Sequence, residues 1–272
     1  MWEPCLKEEE EGSDKDRLRK TFNRKANSIK IRTSGYARPT DSLAGSPLTA
    51  HEAAGPPIVA LGKFDALHIG HRSLAQQAST LGTPYLISFS GMAEVLGWEE
   101  RLPVVAPAQR TEVLTGWSAL CRNIPVREHV LPFRDIRTLS PEDFVSLLYN
   151  LGIRGVVVGS NYRFGYKAKG DTTMLQTLGA DHGMKVIITD LVQNSIDNVS
   201  STRVRNCLVE GELDEVATLL GRRHRLAASL PSASLLVIDG PEQGVHIPSK
   251  YFVNLPPGPG VYPARASFAD WE

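Results

Sequence analysis

The sequence predicts an α/β fold, a doubly wound parallel sheet, and three observations carry that expectation. Short apolar runs recur between Ile58 and Leu191. Longer stretches with helical spacing separate them. The helical stretches bring their own start signals, of which Ser140-Pro141-Glu142-Asp143 is the clearest. Buried strands alternating with helices are the pattern of a sheet covered on both faces.

Taken in order, residues 1–57 read as a segment apart from the fold. Glu8–Glu11 is acidic, and Arg17–Thr40 carries eight basic residues and no acidic ones. Few large apolar side chains are present to bury. The composition fits either a disordered tail or an organelle transit peptide, which is rich in Arg and Ser and poor in acid.

The strand candidates are Ile58–Leu61, Tyr85–Phe89, Glu128–Leu131, Val156–Val158 and Val186–Leu191. Helices are expected over His71–Leu81, Gln109–Leu120, Pro141–Leu151 and Thr172–His182, and a further one opens at Ser200 and runs through Leu208. Ser140 offers a capping hydroxyl, Pro141 suits the first helical position, and acid fills the first turn. Asp171 is placed to cap the helix after it. Beyond Leu220 the regularity fades into the basic cluster Gly221–Arg225 and a Pro/Gly-rich run, Leu255–Tyr262. That region reads as a small β appendage on the main domain or a partly ordered tail.

Composition narrows the function classes. Lys and Arg balance Asp and Glu in a chain of 272 residues, and formal net charge is zero. A general nucleic-acid binder would show a basic excess, so any anion site is local. No apolar run approaches the roughly 18–20 residues that span a bilayer. Cys5, Cys121 and Cys207 are scattered without metal-ligand spacing and suggest a reducing compartment, with Cys121 and Cys207 read as free, partly buried thiols.

Three stretches carry candidate chemistry. Ile58–His71 runs from an apolar strand through Gly62, Phe64 and Asp65 to His68 and His71, at the start of a helical pattern. Backbone N–H groups and the helix dipole attract anions at such a turn, and imidazoles add movable charge. Gly70 lets a backbone or ligand approach closely. Phosphate binding, a metal, or a surface and a capping histidine are the alternatives, and no third and fourth metal ligand has suitable spacing.

Ser200–Arg205 follows the last strand. Its hydroxyls suit both capping and phosphate, and Arg203 and Arg205 bring forked donors. The plain alternative is an ordinary Ser cap with solvent-facing arginines. After Val158, Asn161, Tyr162, Arg163, Phe164 and Tyr166 form an aromatic, basic loop continued by Lys167 and Lys169. It suits a flat ring, or its aromatics belong to the core.

At these three stretches the chain resembles the FAD synthetases of prokaryotic type, within the HxGH nucleotidylyltransferase superfamily, and the plant, plastid version above all. The family pattern GxFDxxHxGH stands here as Gly62–His71, VVGxxFRFG as Val157–Gly165, and SSTR(I/V)R as Ser200–Arg205. The resemblance covers about Ile58 to Leu226. Lys63 and Ala66 replace the Asn and Gly usual in bacterial members, Tyr162 replaces a Phe, and Ser88–Trp98 resembles the plant form of that stretch.

The resemblance implies a Rossmann-like domain over residues 58–226 that transfers AMP from ATP to FMN with Mg²⁺, giving FAD and pyrophosphate. His68 and His71 would contact the ATP phosphates, with Arg203 as a third catalytic group. Gly62, Phe64, Asp65 and Gly70 would shape the ATP loop, and Ser201, Thr202, Arg203 and Arg205 would grip the triphosphate from the far side. Asn161, Tyr162, Arg163 and Phe164 would serve FMN. Protonated imidazoles are expected, and the metal ligands stay unassigned. A plastid location follows from the plant likeness.

Residues 227–272 would be a degenerate trace of the riboflavin kinase that follows in bacterial relatives. Pro248-Ser249-Lys250 stands where the kinase signature belongs, so no kinase activity is expected. The alternatives are another transferase of the superfamily with a different phosphate acceptor, and a catalytically idle flavin-binding protein.

Overall fold

Five strands pair in parallel in the order β3-β2-β1-β4-β5, as the alternating pattern predicts. The computed structural model describes residues 47–51, 54–190, 192, 198–230, 237–239 and 244–267. Expectations for residues 1–46, for Leu191 and for the first part of Leu235–Ile238 lie outside the described residues. The strands are β1 Pro57–Leu61, β2 Thr83–Ser90, β3 Arg127–Pro132, β4 Gly155–Gly159 and β5 Lys185–Thr189. β1 lies at the centre, with Ala60 opposite Leu86 on one side and Val157 on the other.

Alternation along the strands feeds two cores. Val59, Leu61, Tyr85 and Ile87 face Phe144, Leu148 and Leu175. Ala60 and Leu86 face Ala75, Leu114 and Trp117. Each face of the sheet is thus sealed by its own helices, and this is why the strands read as nearly continuous apolar runs.

The helices are α1 Ile69–Leu81, α2 Met92–Leu96, α3 Arg110–Gly116, α4 Phe133–Ile136, α5 Pro141–Asn150, α6 Thr172–Asp181, α7 Ser201–Glu210 and α8 Leu213–Leu220. Ser140 caps α5 by accepting from the Asp143 N–H at 3.0 Å, and Asp171 caps α6 by accepting from that of Met174 at 2.9 Å. The stretch Gln109–Leu120 is a shorter helix flanked by 3-10 turns. Ser88–Trp98 holds α2 between two left-handed glycines, Gly91 and Gly97.

Three helices, α2, α4 and α8, go beyond the sequence expectation. α8 is readable in retrospect, because Leu213, Val216, Leu219 and Leu220 fall on one face, and the last three are buried.

Among the described residues, contacts group those of 47–226 and 253–261 into one unit. Residues 47–51 contribute to it, although they precede the expected start at 58. The Leu48 N–H donates to the Leu151 carbonyl at 2.8 Å, and the Tyr85 hydroxyl to that of Thr49 at 2.9 Å. The run 253–261 does the same through Leu255 N–H to the Pro103 carbonyl and Gly258 N–H to that of Leu208, both at 2.8 Å. The other unit includes residues 227–252. Its described part holds an antiparallel pair, β6 Val237–Asp239 and β7 Gly244–His246, and a 3-10 turn at Ser249–Tyr251.

Among the described residues no helix is long and apolar enough to cross a membrane. Cys121 and Cys207 are free and buried, and burial pushes the Cys121 thiol up to about 11.

Candidate functional site

Strand order reverses at β1, whose neighbours β2 and β4 lead to opposite edges. The crevice beyond the carboxyl ends of strands at such a point is where α/β sheets hold ligands. The turn from Gly62 to His68 leaves β1 there and enters α1. It is tightly folded: Phe64, Ala66 and Leu67 are buried, and Leu67 takes a left-handed φ of 47°.

His68 caps α1, and its Nδ1 accepts the backbone N–H of His71 at 3.3 Å. A neutral ring that accepts at Nδ1 keeps its proton on Nε2, so His68 retains one imidazole donor. The ring of His71 stacks on that of His68 with centroids 3.6 Å apart, and Phe64 meets His71 edge-on at 4.9 Å. Gly70 makes room for this. A Cβ at that position would lie 3.1 Å from the His68 ring. The Nδ1 of His71 is buried and has no hydrogen-bond partner among the described residues.

Without phosphate both imidazoles are held neutral, whereas the protonated pair is expected with phosphates bound. Burial, then the Arg222 charge, lowers His68 to about 4, with partial relief from Asp65. Burial lowers His71 well below the usual 6.5, followed by His68, Arg110 and Arg222. An arriving phosphate opposes these effects and raises both.

The sequence reading missed the cations that act on the pair, Arg110 and Arg222, and Arg72 next to Arg222. Arg110 is matched by Glu128, accepting at 2.8 Å from Nε. Among the described residues no carboxylate pairs with Arg72 or Arg222. Burial, with Arg110 and Arg72 nearby, lowers Arg222 to about 10. The signal for it was Gly221, a left-handed cap that closes α8 and sets the next residue's course.

Asp65 is engaged in holding the turn. Its Oδ1 accepts the Val104 N–H at 3.2 Å, and its Oδ2 accepts Arg205 Nε at 2.9 Å. Arg205 also donates to the Leu102 carbonyl at 2.9 Å. α7 is thereby tied to the β1 loop, and Ala66, Val199 and Val204 share one apolar cluster. Ser200 caps α7 by accepting from the Arg203 N–H at 3.2 Å. Arg203 pairs with Glu215 of α8. Ser201 is partly buried and Thr202 exposed at the N-terminus of α7.

The loop after β4 shares the carboxyl edge with His68, since β4 adjoins β1. Phe164 belongs to the core, 5% exposed and against Phe144 at 5.7 Å. Tyr162 stacks on it at 6.1 Å, and burial raises its hydroxyl pKa. The Arg163 guanidinium is turned to its own loop, with Nε at 3.2 Å and a terminal nitrogen at 2.9 Å from the Ala168 carbonyl. Asn161 and Tyr166 remain exposed. Lys63 of the β1 loop sits over the exposed ring of Trp98 at 5.4 Å.

Among the described residues no group of three or more His, Cys, Asp or Glu is placed to hold a metal. Asp65, the carboxylate on the β1 loop, is already shared between Arg205 and Val104.

Residues 126–203 match the FAD synthetase family model. The chain is 46% identical over 222 residues to FAD synthetase 2, chloroplastic, of Arabidopsis thaliana, covering 76% of this chain and 59% of that protein. It is 45% identical over 224 residues to FAD synthetase 1, chloroplastic, of the same plant, covering 76% and 62%. A bifunctional riboflavin kinase/FMN adenylyltransferase of Pseudomonas fluorescens is 30% identical over 178 residues, covering 62% and 56%. The chain thus spans about three fifths of the plant relatives' length. A solved structure titled as a macrolide-efflux protein from Streptococcus pneumoniae superposes with a TM-score of 0.53 at 23% identity, over 65% of this chain and 70% of that one. At that identity the likeness concerns the fold alone.

Proposed function

We propose that this chain, whose residues 126–203 match the FAD synthetase family model, transfers AMP from ATP to FMN, giving FAD and pyrophosphate. The observation that carries the reading is the stacked His68–His71 pair at the head of α1. The charge of Arg222 acts on both rings, and neither Arg222 nor its neighbour Arg72 has a carboxylate partner among the described residues. Buried donors and unmatched positive charge suit a polyphosphate.

An oxygen of the FMN phosphate attacks the α-phosphorus of ATP in line, and the bond to the bridging oxygen of pyrophosphate breaks. The nucleophile is already an anion, so no protein base and no covalent intermediate are required. The chain's task is to align the two phosphates and to stabilise charge growing on the leaving group. His68 offers Nε2–H, and His71 gains a proton or a hydrogen bond at its partnerless Nδ1 as the phosphates arrive. Ser201, Thr202 and the N–H groups of α7 face the triphosphate from the second loop. Arg203 joins them by exchanging Glu215 for phosphate, whereas Arg205 stays with Asp65 and shapes the site.

The described residues supply no carboxylate cluster for a protein-built magnesium site. Mg²⁺ belongs in this reading to the nucleotide, which it accompanies on the phosphate oxygens. The acceptor side is the loop after β4, with Asn161 and the exposed Tyr166 as its contacts, while Phe164 supports from the core. The chloroplast is the proposed location, in keeping with the plant relatives' names and the basic, acid-poor stretch Arg17–Thr40.

Titrating the protein into FMN and following flavin fluorescence tests the acceptor. Saturable quenching is expected, and FMN emission unchanged by the protein would move the reading to a different phosphate acceptor.

A further inference from the structure

From the clasp that Arg222 forms on the β1 turn, we infer that this arginine is a positioning residue of the phosphate site, acting through the turn that carries the two imidazoles. The inference rests on the reading of His68–His71 as a polyphosphate-binding turn.

Arg222 lies in the basic cluster after α8, remote in sequence from the turn. One terminal nitrogen donates to the Leu67 carbonyl at 2.6 Å and to that of Leu220 at 3.1 Å. The other donates to the Ala66 carbonyl at 2.9 Å. The fork therefore grips two successive carbonyls of the β1 turn and the last turn of α8 at once. Leu67 is the residue with the left-handed φ, a conformation that costs an ordinary side chain about 1–3 kcal/mol unless its surroundings impose it. The clasp is one of the interactions that impose it. His68 follows directly, so the angle at which its ring enters the site depends on where the Ala66 and Leu67 carbonyls are held.

The seat of Arg222 is itself fitted to α1. Gly221 has a φ of 65°, and a Cβ there would come within 2.8 Å of Arg72 and 2.9 Å of Ile69. The first turn of α1 and the end of α8 are thus in close contact at a position where only glycine fits. A lysine could carry the charge of Arg222, but its single ammonium cannot reproduce a planar fork across the Ala66 and Leu67 carbonyls.

The charge has its own consequence. Among the described residues Arg222 bonds only to neutral carbonyls, with no carboxylate to cancel its charge. It adds to Arg72 on α1 and to Arg110 on α3, the latter offset by Glu128 of β3. Asp65 on the turn is shared with Arg205. Such an arrangement attracts a phosphate group to the imidazole side of the turn.

The experiment uses the full chain and inorganic pyrophosphate as the probe, with binding measured by calorimetry and imidazole titration followed by NMR. Arg222→Met keeps the apolar stem and removes both fork and charge. Its pyrophosphate affinity is expected to fall about tenfold or more, the weight of a charge-assisted contact. The imidazoles of His68 and His71 should titrate at higher pH than in the wild type. Arg222→Lys restores the charge, so the imidazoles should titrate near their wild-type values while affinity stays several-fold weaker for want of the fork.

An arginine that served folding alone would change the melting temperature and leave both readouts where they were. Wild-type affinity in a folded Arg222→Met protein overturns the inference. If that variant does not fold, Arg222→Lys decides, weakened binding supporting the clasp and wild-type binding refuting it. A wild-type chain that ignores pyrophosphate defeats the phosphate-site reading itself, an outcome distinct from equal binding by wild type and variant.

Discussion

The imidazoles of His68 and His71 lie face to face, with ring centroids 3.6 Å apart and planes 18° from parallel. Each fixes the other, because Nδ1 of the first accepts the backbone N–H of the second. His71 Nδ1 is left buried without a hydrogen-bond partner among the described residues, and the tautomer of His68 puts its proton on Nε2. In the proposed reaction, replacing His71 by Ala removes a donor to the leaving group while sparing the backbone bond to His68. We expect kcat for FAD formation to fall on the order of 10²–10³-fold, the cost of a lost oxyanion donor. Steady-state kinetics checks this, and an unchanged kcat assigns His71 no part in the chemistry.

Acid should loosen the fold through the same pair. Burial keeps His68 near 4 and His71 well below 6.5 in the folded chain, whereas the unfolded chain takes up these protons near pH 6.5. Between those values the unfolded state binds more protons, so stability is complete above about pH 6.5 and falls as pH drops toward 4. His68 alone accounts for a loss on the order of 2–3 kcal/mol across that window. Urea midpoints at pH 7 and pH 5 should differ less in His68→Gln than in the wild type.

Gly70 separates stability from alignment. It sits in the first turn of α1, where Ala is the better helix former by up to about 1 kcal/mol. Yet a Cβ there would stand 3.1 Å from Nδ1 and Cε1 of His68, and the ring must give way. Gly70→Ala is expected to melt no lower than the wild type and to lose about tenfold in kcat, short of the roughly 10²-fold that a 1 Å displacement can cost. Differential scanning calorimetry alongside kinetics reads both effects.

On the acceptor side, Phe164 and Asn161 should behave as opposites. Phe164 is packed into the core beside Phe144, so Phe164→Ala should cost about 3–5 kcal/mol in urea unfolding. Asn161 is exposed on the loop after β4, and Asn161→Ala should stay within about 0.5 kcal/mol of the wild type. Its expected effect is a raised KM for FMN with that for ATP unchanged.

Local signals in the sequence account for most of the fold. Val156-Val157-Val158 is buried on both faces and reads as a strand without any tertiary knowledge. Ser140, Asp171 and Ser200 announce their helices because capping is a matter of neighbouring residues. What stayed hidden depends on contacts distant along the chain. Asp65 looks like a nucleotide ligand until Arg205, 140 positions away, is seen on its carboxylate. Arg163 looks like a free cation until its own loop folds back and offers the Ala168 carbonyl. The neutral imidazoles follow from burial, which no spacing of residues reveals.

The most direct test is to incubate the full chain with FMN, ATP and Mg²⁺ and to separate the flavins by chromatography, with His71→Ala in parallel. The account predicts that the wild-type protein converts FMN to FAD with one pyrophosphate released per FAD, and that the variant does so far more slowly. Binding of FMN without any FAD, or FAD formed equally well by the variant, would contradict it.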